Sequence, residues 1–157
     1  MAKPKQLWKP GDVFLVTQKD GVCSVGQVLS RMMENVVSCA FYDIRVPCNG
    51  AQGPFDLDDD RAIASLSVTK EQLDFGAWRV VGNQAIALGP EAWPNEQCRA
   101  QRWVGAKIYD AAIAEELLNA YNGLVPWDDW KDPEYLDKLL VNPDRKPKHL
   151  LYKNKRE

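Results

Sequence analysis

The sequence predicts an α+β fold, in which a bent antiparallel β-sheet or SH3-like barrel is followed by two C-terminal helices. Three observations support this prediction. The first half of the 157-residue chain is rich in β-branched and aromatic runs that are separated by Gly, Pro and Asp. The pair Asp20-Gly21 joins the first two of these runs, as in a tight β-hairpin. Longer segments with helical periodicity and capping residues lie in the last third of the chain.

The predicted strands begin with a three-stranded meander. Gly26 lies inside its second strand, where glycine indicates a bulge or a sharp bend. Thr69 and Gln72 have the spacing of a capping box, which predicts one short helical turn. The strands that we predict cover residues 11–17, 22–29, 36–44, 62–68, 78–81 and 102–109.

Two helices are predicted after the last strand. Asp110 is a good N-cap for a helix over residues 111–121. Asp132 and Pro133 combine an N-cap residue with a proline at the first helical position, and they predict a second helix that ends at residue 140. The change from strands to helices completes the predicted α+β order.

Charge divides the chain into an acidic body, residues 1–142, and a basic C-terminal tail, residues 143–157. The tail contains six Lys/Arg and two Asp/Glu, a net charge of +4, while the body contains 14 and 20, a net charge of −6. We expect the body to be a single α+β domain and the tail to be solvated. An acidic body disfavours a phosphate-binding surface.

The N-terminus and the hydropathy of the chain bear on its location. The basic N-terminus is not followed by an apolar run, as it would be in a secretory signal. No stretch approaches the roughly 20 apolar residues of a membrane span. We therefore expect a cytoplasmic protein with no membrane partner.

Residue types typical of catalytic and cofactor sites are scarce. The single histidine, His149, lies among basic residues of the tail and lacks an obvious partner for acid–base catalysis. Neither a dinucleotide-binding motif nor a phosphate loop is present. The cysteines match no metal-ligand spacing, and we expect them to be reduced, without a disulfide framework; they are Cys23, Cys39, Cys48 and Cys98. The sequence thus predicts no enzyme, cofactor or metal.

A cluster of carboxylates ends the Pro/Gly-rich loop over residues 45–60. We call residues 56–60 the acidic segment; its aspartates are Asp56, Asp58, Asp59 and Asp60. Clustered carboxylate oxygens are ligands that hard cations prefer, but the glycine and terminal glutamate of a calcium loop are absent. The favoured interpretation is an exposed acidic loop.

A second candidate surface lies between the two predicted helices. We call it the tryptophan loop; it consists of Trp127, Asp128, Asp129 and Trp130. In the favoured interpretation, the rings attach this loop to the sheet. In the alternative, they are interface anchors, because exposed tryptophan surrounded by charge is a common hot-spot composition.

The N-terminal part of the chain resembles a known family. The residues concerned are Lys9–Phe14, with the run Lys-Pro-Gly-Asp-Val-Phe, together with Asp20-Gly21 and Val25–Leu29. They resemble the start of the immunity protein 26 family of bacterial polymorphic toxin systems, most clearly over residues 8–45. The resemblance implies a cytoplasmic antidote that binds a cognate toxin domain and blocks it, and it implies no catalytic residues.

We therefore expect an immunity protein that neutralises a cognate toxin. Nucleases are one class of toxin with the basic surface that an acidic partner suits. An acidic body suits a basic partner surface and accelerates association. We expect the partner to contact the acidic segment and the tryptophan loop. Two alternatives remain: a small barrel that binds nucleic acid through the basic tail and tryptophan stacking, and an enzyme that uses carboxylates without histidine.

Overall fold

The computed structural model describes residues 5–153. Within these residues the β-strands are β1 Asp12–Thr17, β2 Val22–Met33, β3 Val36–Pro47, β4 Ala62–Thr69 and β5 Arg79–Asn83. The α-helices are α1 Glu71–Asp74 and α2 Ala111–Tyr121. Short 3₁₀ helices cover Asp59–Arg61, Pro90–Ala92, Glu96–Gln101, Leu136–Leu139 and Pro143–Arg145.

The strands form one antiparallel sheet in the order β4-β3-β2-β1-β5. Strands β1 to β4 are neighbours in chain order, and β5 returns to pair with β1. Strands β2 and β3 pair along their whole length with three register shifts, one of which lies between Ser24 and Val25. Such bulges bend a strand and increase its twist. The predicted α+β class and antiparallel sheet are confirmed.

Both faces of the sheet are buried. Successive side chains of a strand point to opposite faces of the sheet. A sheet that is covered on both faces therefore needs apolar residues at consecutive positions. Strand β1 shows this pattern, since Val13 to Val16 are all buried. The helix-side cluster joins one face to α2 and includes Phe14, Phe41, Trp78, Leu117 and Trp127. The loop-side cluster joins the other face to the long connections and includes Val13, Leu15, Tyr42, Leu57 and Leu88.

Gly26 is required by the ring of Phe14 on the neighbouring strand. A Cβ atom at Gly26 would lie 2.5 Å from Cζ of Phe14, and this ring is itself stacked on Trp78. Gly26→Ala is therefore expected to lower the free energy of unfolding by about 1–3 kcal/mol through overpacking, as measured by urea denaturation. Gly82→Ala in β5 is the matched control, because its Cβ would meet nothing within 4 Å. Equal losses in the two variants would contradict the steric explanation.

The strand predicted over residues 102–109 is wrong. Arg102 and Trp103 have φ angles of 55° and 67°, which belong to the left-handed region and are incompatible with a strand. The amide of Asn95 also holds this segment as a loop, since its Nδ2 donates to the carbonyl of Lys107 at 2.8 Å and its Oδ1 accepts from the Lys107 N–H at 2.9 Å. Tyr109 alone reaches the sheet, through an isolated parallel bridge to Val68.

The second predicted helix is also wrong in extent, so the expectation of two C-terminal helices is only half met. Helix α2 has the predicted bounds, and Asp110 caps it by accepting from the N–H of Ala112 at 2.9 Å. Asp132 does accept from the N–H of Glu134, but only the 3₁₀ helix Leu136–Leu139 follows. The chain leaves the helical path because Leu140 forms a bridge to Ala64 of β4.

The predicted short helical turn is confirmed as α1, but the capping box is not its cause. Lys70 is the N-cap residue, without a capping side chain. Thr69 donates its hydroxyl hydrogen bond to Glu71, and Gln72 donates to Glu115 of α2 at 3.1 Å. The Thr69 side chain thus bonds to a residue of the same turn, and the Gln72 side chain forms a tertiary contact with α2.

The expectation that all cysteines are reduced is wrong for two of them. Cys23 and Cys48 form a disulfide, with their Cα atoms 5.2 Å apart. The pairing of Cys23 with Val46 across β2 and β3 brings the chain just beyond β3 to Cys23. Cys39 and Cys98 are free and buried, as expected.

The basic tail is packed against the body as far as it is described. The carbonyl of Leu151 accepts from the N–H of Trp127 at 2.8 Å, and Lys146 forms an ion pair with Asp137. Leu150 packs against the helix-side cluster. Residues 154–157 of the predicted tail lie outside the described residues. No helix within residues 5–153 is long and apolar enough to cross a membrane.

Candidate protein-binding surface

The acidic segment is exposed but firmly attached. Leu57, in its middle, is buried in the loop-side cluster, whereas the neighbouring aspartates are exposed. Just before the segment, the Gln84 side chain accepts from the N–H of Phe55 and donates to its carbonyl, both at 2.8 Å. Two hydrogen bonds and one buried leucine thus hold the backbone while the carboxylates face solvent.

The carboxylates of this segment lie close enough to repel one another. Asp58 caps the 3₁₀ helix by accepting from the N–H of Asp60 at 3.1 Å. Single carboxylate oxygens of Asp58, Asp59 and Asp60 lie within 4.8 Å of one another. A hydrogen bond with the Asp58 side chain, followed by slight desolvation and the charges of Asp58 and Asp60, raises the pKa of Asp59. Within this shift, the charges of Asp58 and Asp60 disfavour a further negative charge at Asp59.

Few cations offset this charge. Arg61 approaches Asp56 at 3.7 Å, but both side chains are well exposed, so the pair contributes little. The backbone hydrogen bond from Asp60 is the main cause that lowers the pKa of Asp58, and the charge of Arg145 adds to it. Burial raises the pKa of Tyr42 to about 12, and the charges of Asp59 and Asp58 add to this rise. The segment therefore keeps an excess of negative charge.

Two kinds of cation could use such a surface. A hard metal ion takes six or more oxygen ligands, and the three aspartates of the cluster offer one oxygen each in mutual reach. Lysine or arginine side chains of a protein need only an exposed carboxylate in an accessible position. The exposed carboxylates of Asp58, Asp59 and Asp60 meet this requirement for lysine or arginine side chains of a partner.

The tryptophan loop divides into a buried half and an exposed half. Trp127 is fully buried in the helix-side cluster, and its Nε1 donates to Oδ1 of Asp137 at 3.1 Å. Asp128 is also buried and accepts from the N–H of Lys153 at 2.6 Å. Both residues therefore attach the loop to the core, as in the favoured interpretation, and neither offers an accessible surface to a partner.

The other two residues of the tryptophan loop reach the surface. Asp129 is exposed and lies 3.2 Å from Nζ of Lys153. Trp130 is half-buried and stacks on Tyr135, with ring centroids 4.8 Å apart. One face of the Trp130 ring is thus already occupied by the protein itself, which limits the area that it can offer.

The two candidate surfaces are attached to different hydrophobic clusters. Leu57 attaches the acidic segment to the loop-side cluster, and Trp127 attaches the tryptophan loop to the helix-side cluster. These clusters lie on opposite faces of the sheet. The acidic segment alone combines exposure, dense charge and a fixed backbone.

Residues with catalytic potential occupy unpromising positions. His149 is exposed at the surface. Cys39 is completely buried, and desolvation strongly raises the pKa of its thiol, which disfavours the reactive thiolate. The sequence pattern did not reveal Gln84 as the residue that holds Phe55, nor Arg145 as a neighbour of Asp58, because both contacts are long-range.

Comparisons with protein-family models, with curated proteins and with solved structures find no match to this chain.

Proposed function

We propose that the protein is an immunity protein that binds and neutralises a cognate bacterial toxin domain through its acidic segment. The observation that supports this most directly is the exposed cluster of Asp58, Asp59 and Asp60 on an anchored backbone. Repulsion among these carboxylates is present in the free protein, and a basic partner surface would relieve it. The resemblance of the N-terminal residues to an immunity family points in the same direction.

A protein partner is favoured over nucleic acid. Nucleic acid is itself an anion, and the acidic segment would repel it. The nucleic-acid alternative used Trp127 or Trp130 for base stacking. The ring of Trp127 is fully buried, and one face of the Trp130 ring is already stacked on Tyr135. The basic residue Lys146 is paired with Asp137 and is not free to contact phosphates. We propose an SH3-like curvature of the sheet as the scaffold for this protein interface.

The proposal predicts that the gene immediately upstream encodes a protein with a C-terminal toxin domain, and the test uses that domain. The double variant Asp59→Lys/Asp60→Lys reverses two exposed charges and keeps Asp58, which caps the 3₁₀ helix. We expect its association rate with the toxin domain to fall about tenfold at low ionic strength, because opposite charge mainly accelerates encounter. Stopped-flow binding at several salt concentrations measures this, and growth of cells that express the toxin measures protection.

The matched control is Glu34→Lys/Glu91→Lys, which changes the net charge equally at two exposed positions outside the acidic segment. A similar loss in both double variants would show that only net charge matters and would refute the proposed surface. Unchanged binding and unchanged salt dependence in Asp59→Lys/Asp60→Lys would also refute the proposed surface. Failure of the wild-type chain to protect cells or to bind the toxin domain would refute the immunity function.

A further inference from the structure

A polar cleft lies at the free edge of the sheet, away from the acidic segment. It has a volume of about 250 Å³ and is bordered by β4, by residues 92–95, by residues 107–109 and by residues 138–141. Strand β4 is the last strand in the sheet order. Three connections that are far apart in sequence thus close around one strand edge.

Within residues 5–153, the edge of β4 is covered at both ends of this cleft, whereas no backbone hydrogen bond reaches the carbonyl of Ser65 between them. At one end, the carbonyl of Ile63 accepts from the N–H of Val141 at 2.9 Å. At the other end, the carbonyl of Ser67 accepts from the N–H of Tyr109 at 2.9 Å. Because backbone groups alternate along a strand, the carbonyl of Ser65 faces the same edge, between the two covered positions. The cleft is thus a gap in the edge pairing.

One unpaired hydroxyl, that of Ser65, and one fully hydrogen-bonded amide, that of Asn95, lie beside this gap. The hydroxyl of Ser65 is buried and has no hydrogen-bond partner within the described part of the chain. Asn95 adopts a left-handed backbone conformation, with φ 62°, and donates to the hydroxyl of Ser67 at 2.9 Å. Asparagine adopts this region more readily than most non-glycine residues, and its side-chain hydrogen bonds hold this segment in place. The same amide fixes Lys107, which forms one wall.

The charge of the cleft is opposite to that of the chain. Of the described residues that line it, Lys107 and Lys138 are basic and none is an aspartate or a glutamate, although the chain has a net charge of −2. Lys138 is partly neutralised by Asp132, at 2.6 Å. Lys107 forms no ion pair with any residue between 5 and 153. The lining therefore favours an anion.

We propose that this cleft binds a small oxyanion, the carboxylate or phosphate group of a low-molecular-weight ligand. The two lysines supply the charge, and the unpartnered hydroxyl of Ser65 lies in the wall of the cleft. An unsatisfied buried polar group is costly, and an oxyanion that accepts a hydrogen bond from the Ser65 hydroxyl would satisfy it. This binding site is independent of the toxin interface.

The test is an NMR titration of the full chain, labelled with ¹⁵N, with sodium phosphate, sodium acetate and sodium chloride at equal ionic strength. Saturable shifts of the amides of Ser65, Asn95 and Lys107 are expected with phosphate, with acetate or with both, and not with chloride. The two oxyanions distinguish a phosphate-type from a carboxylate-type ligand. Equal shifts with all three salts, or shifts spread over other lysines, would overturn the proposal.

Variants of opposite effect make the test sharper. Lys107→Gln and Lys138→Gln are each expected to weaken oxyanion binding about threefold to fivefold, as for an exposed charge contact. Asp132→Asn should strengthen binding about twofold to threefold, because it frees Lys138, and asparagine can still cap the turn. Lys19→Gln, on an exposed lysine of the β1–β2 hairpin, is the control. A loss of oxyanion affinity in Lys19→Gln equal to that in Lys107→Gln would refute the assigned roles. Unchanged affinity in Asp132→Asn would refute them as well.

Discussion

Replacing Trp78 with alanine is expected to lower the free energy of unfolding by about 3–5 kcal/mol, the usual cost of removing a large buried aromatic side chain. Trp78 has no exposed surface. It stacks on Phe14 at 5.1 Å between ring centroids and meets Phe41 edge-on at 5.6 Å. Its Nε1 also donates to Oε2 of Glu115 at 3.2 Å, which links the sheet to α2.

Urea denaturation followed by circular dichroism measures this loss. The loss expected for the alanine variant is a large part of the total stability of a small domain. Trp78→Phe is therefore the milder companion, with an expected loss of about 1–2 kcal/mol. Trp103→Ala is the control: this ring is half-buried and lies under the guanidinium of Arg99. A loss below about 1 kcal/mol is expected there. Equal losses at Trp78 and Trp103 would contradict the described core.

The double variant Cys23→Ser/Cys48→Ser is expected to be less stable than the oxidised protein by roughly 3 kcal/mol, from the entropy of closing the intervening loop in the unfolded chain. The disulfide joins residues separated by 25 positions. Reductant should destabilise the wild-type protein by a similar amount and leave the variant unaffected. Urea denaturation with and without reductant provides both comparisons.

Thiol counting gives an independent check of the disulfide. Alkylation of the unfolded, unreduced protein should modify Cys39 and Cys98 only. Modification of all four cysteines in protein taken directly from cells would show that Cys23 and Cys48 are thiols there. That result would contradict the disulfide and support the cytoplasmic location that the sequence predicts, since disulfides are rare in reducing compartments.

Local patterns were enough to predict most of the sheet. The Asp20-Gly21 turn and the β-branched runs on either side determine a hairpin by short-range geometry. They could not reveal that residues 102–109 form a loop, because the side chain of Asn95 holds Lys107 from twelve positions away. Likewise, the signals at Asp132 predict how a helix begins, and the bridge from Leu140 to Ala64 ends it.

The candidate sites were predictable to different degrees. The exposure of Asp58 to Asp60 follows from their charge, since unpaired aspartates are seldom buried. The burial of Trp127 and Asp128 depends on contacts with Asp137 and Lys153, which no local pattern contains. The oxyanion cleft draws its lining from four separate segments, so only the folded chain brings Ser65 and Lys107 together.

The burial of Leu57 beneath the exposed aspartates has a consequence for divergence. Exposed positions such as Asp56, Asp59 and Asp60 tolerate most substitutions within about 0.5 kcal/mol of folding free energy, whereas Leu57 is held in the core. Mutations can therefore alter the charge and shape of this loop without endangering the fold. Related chains that have to recognise different partners could diverge here one residue at a time, while Leu57 and Gln84 stay the same.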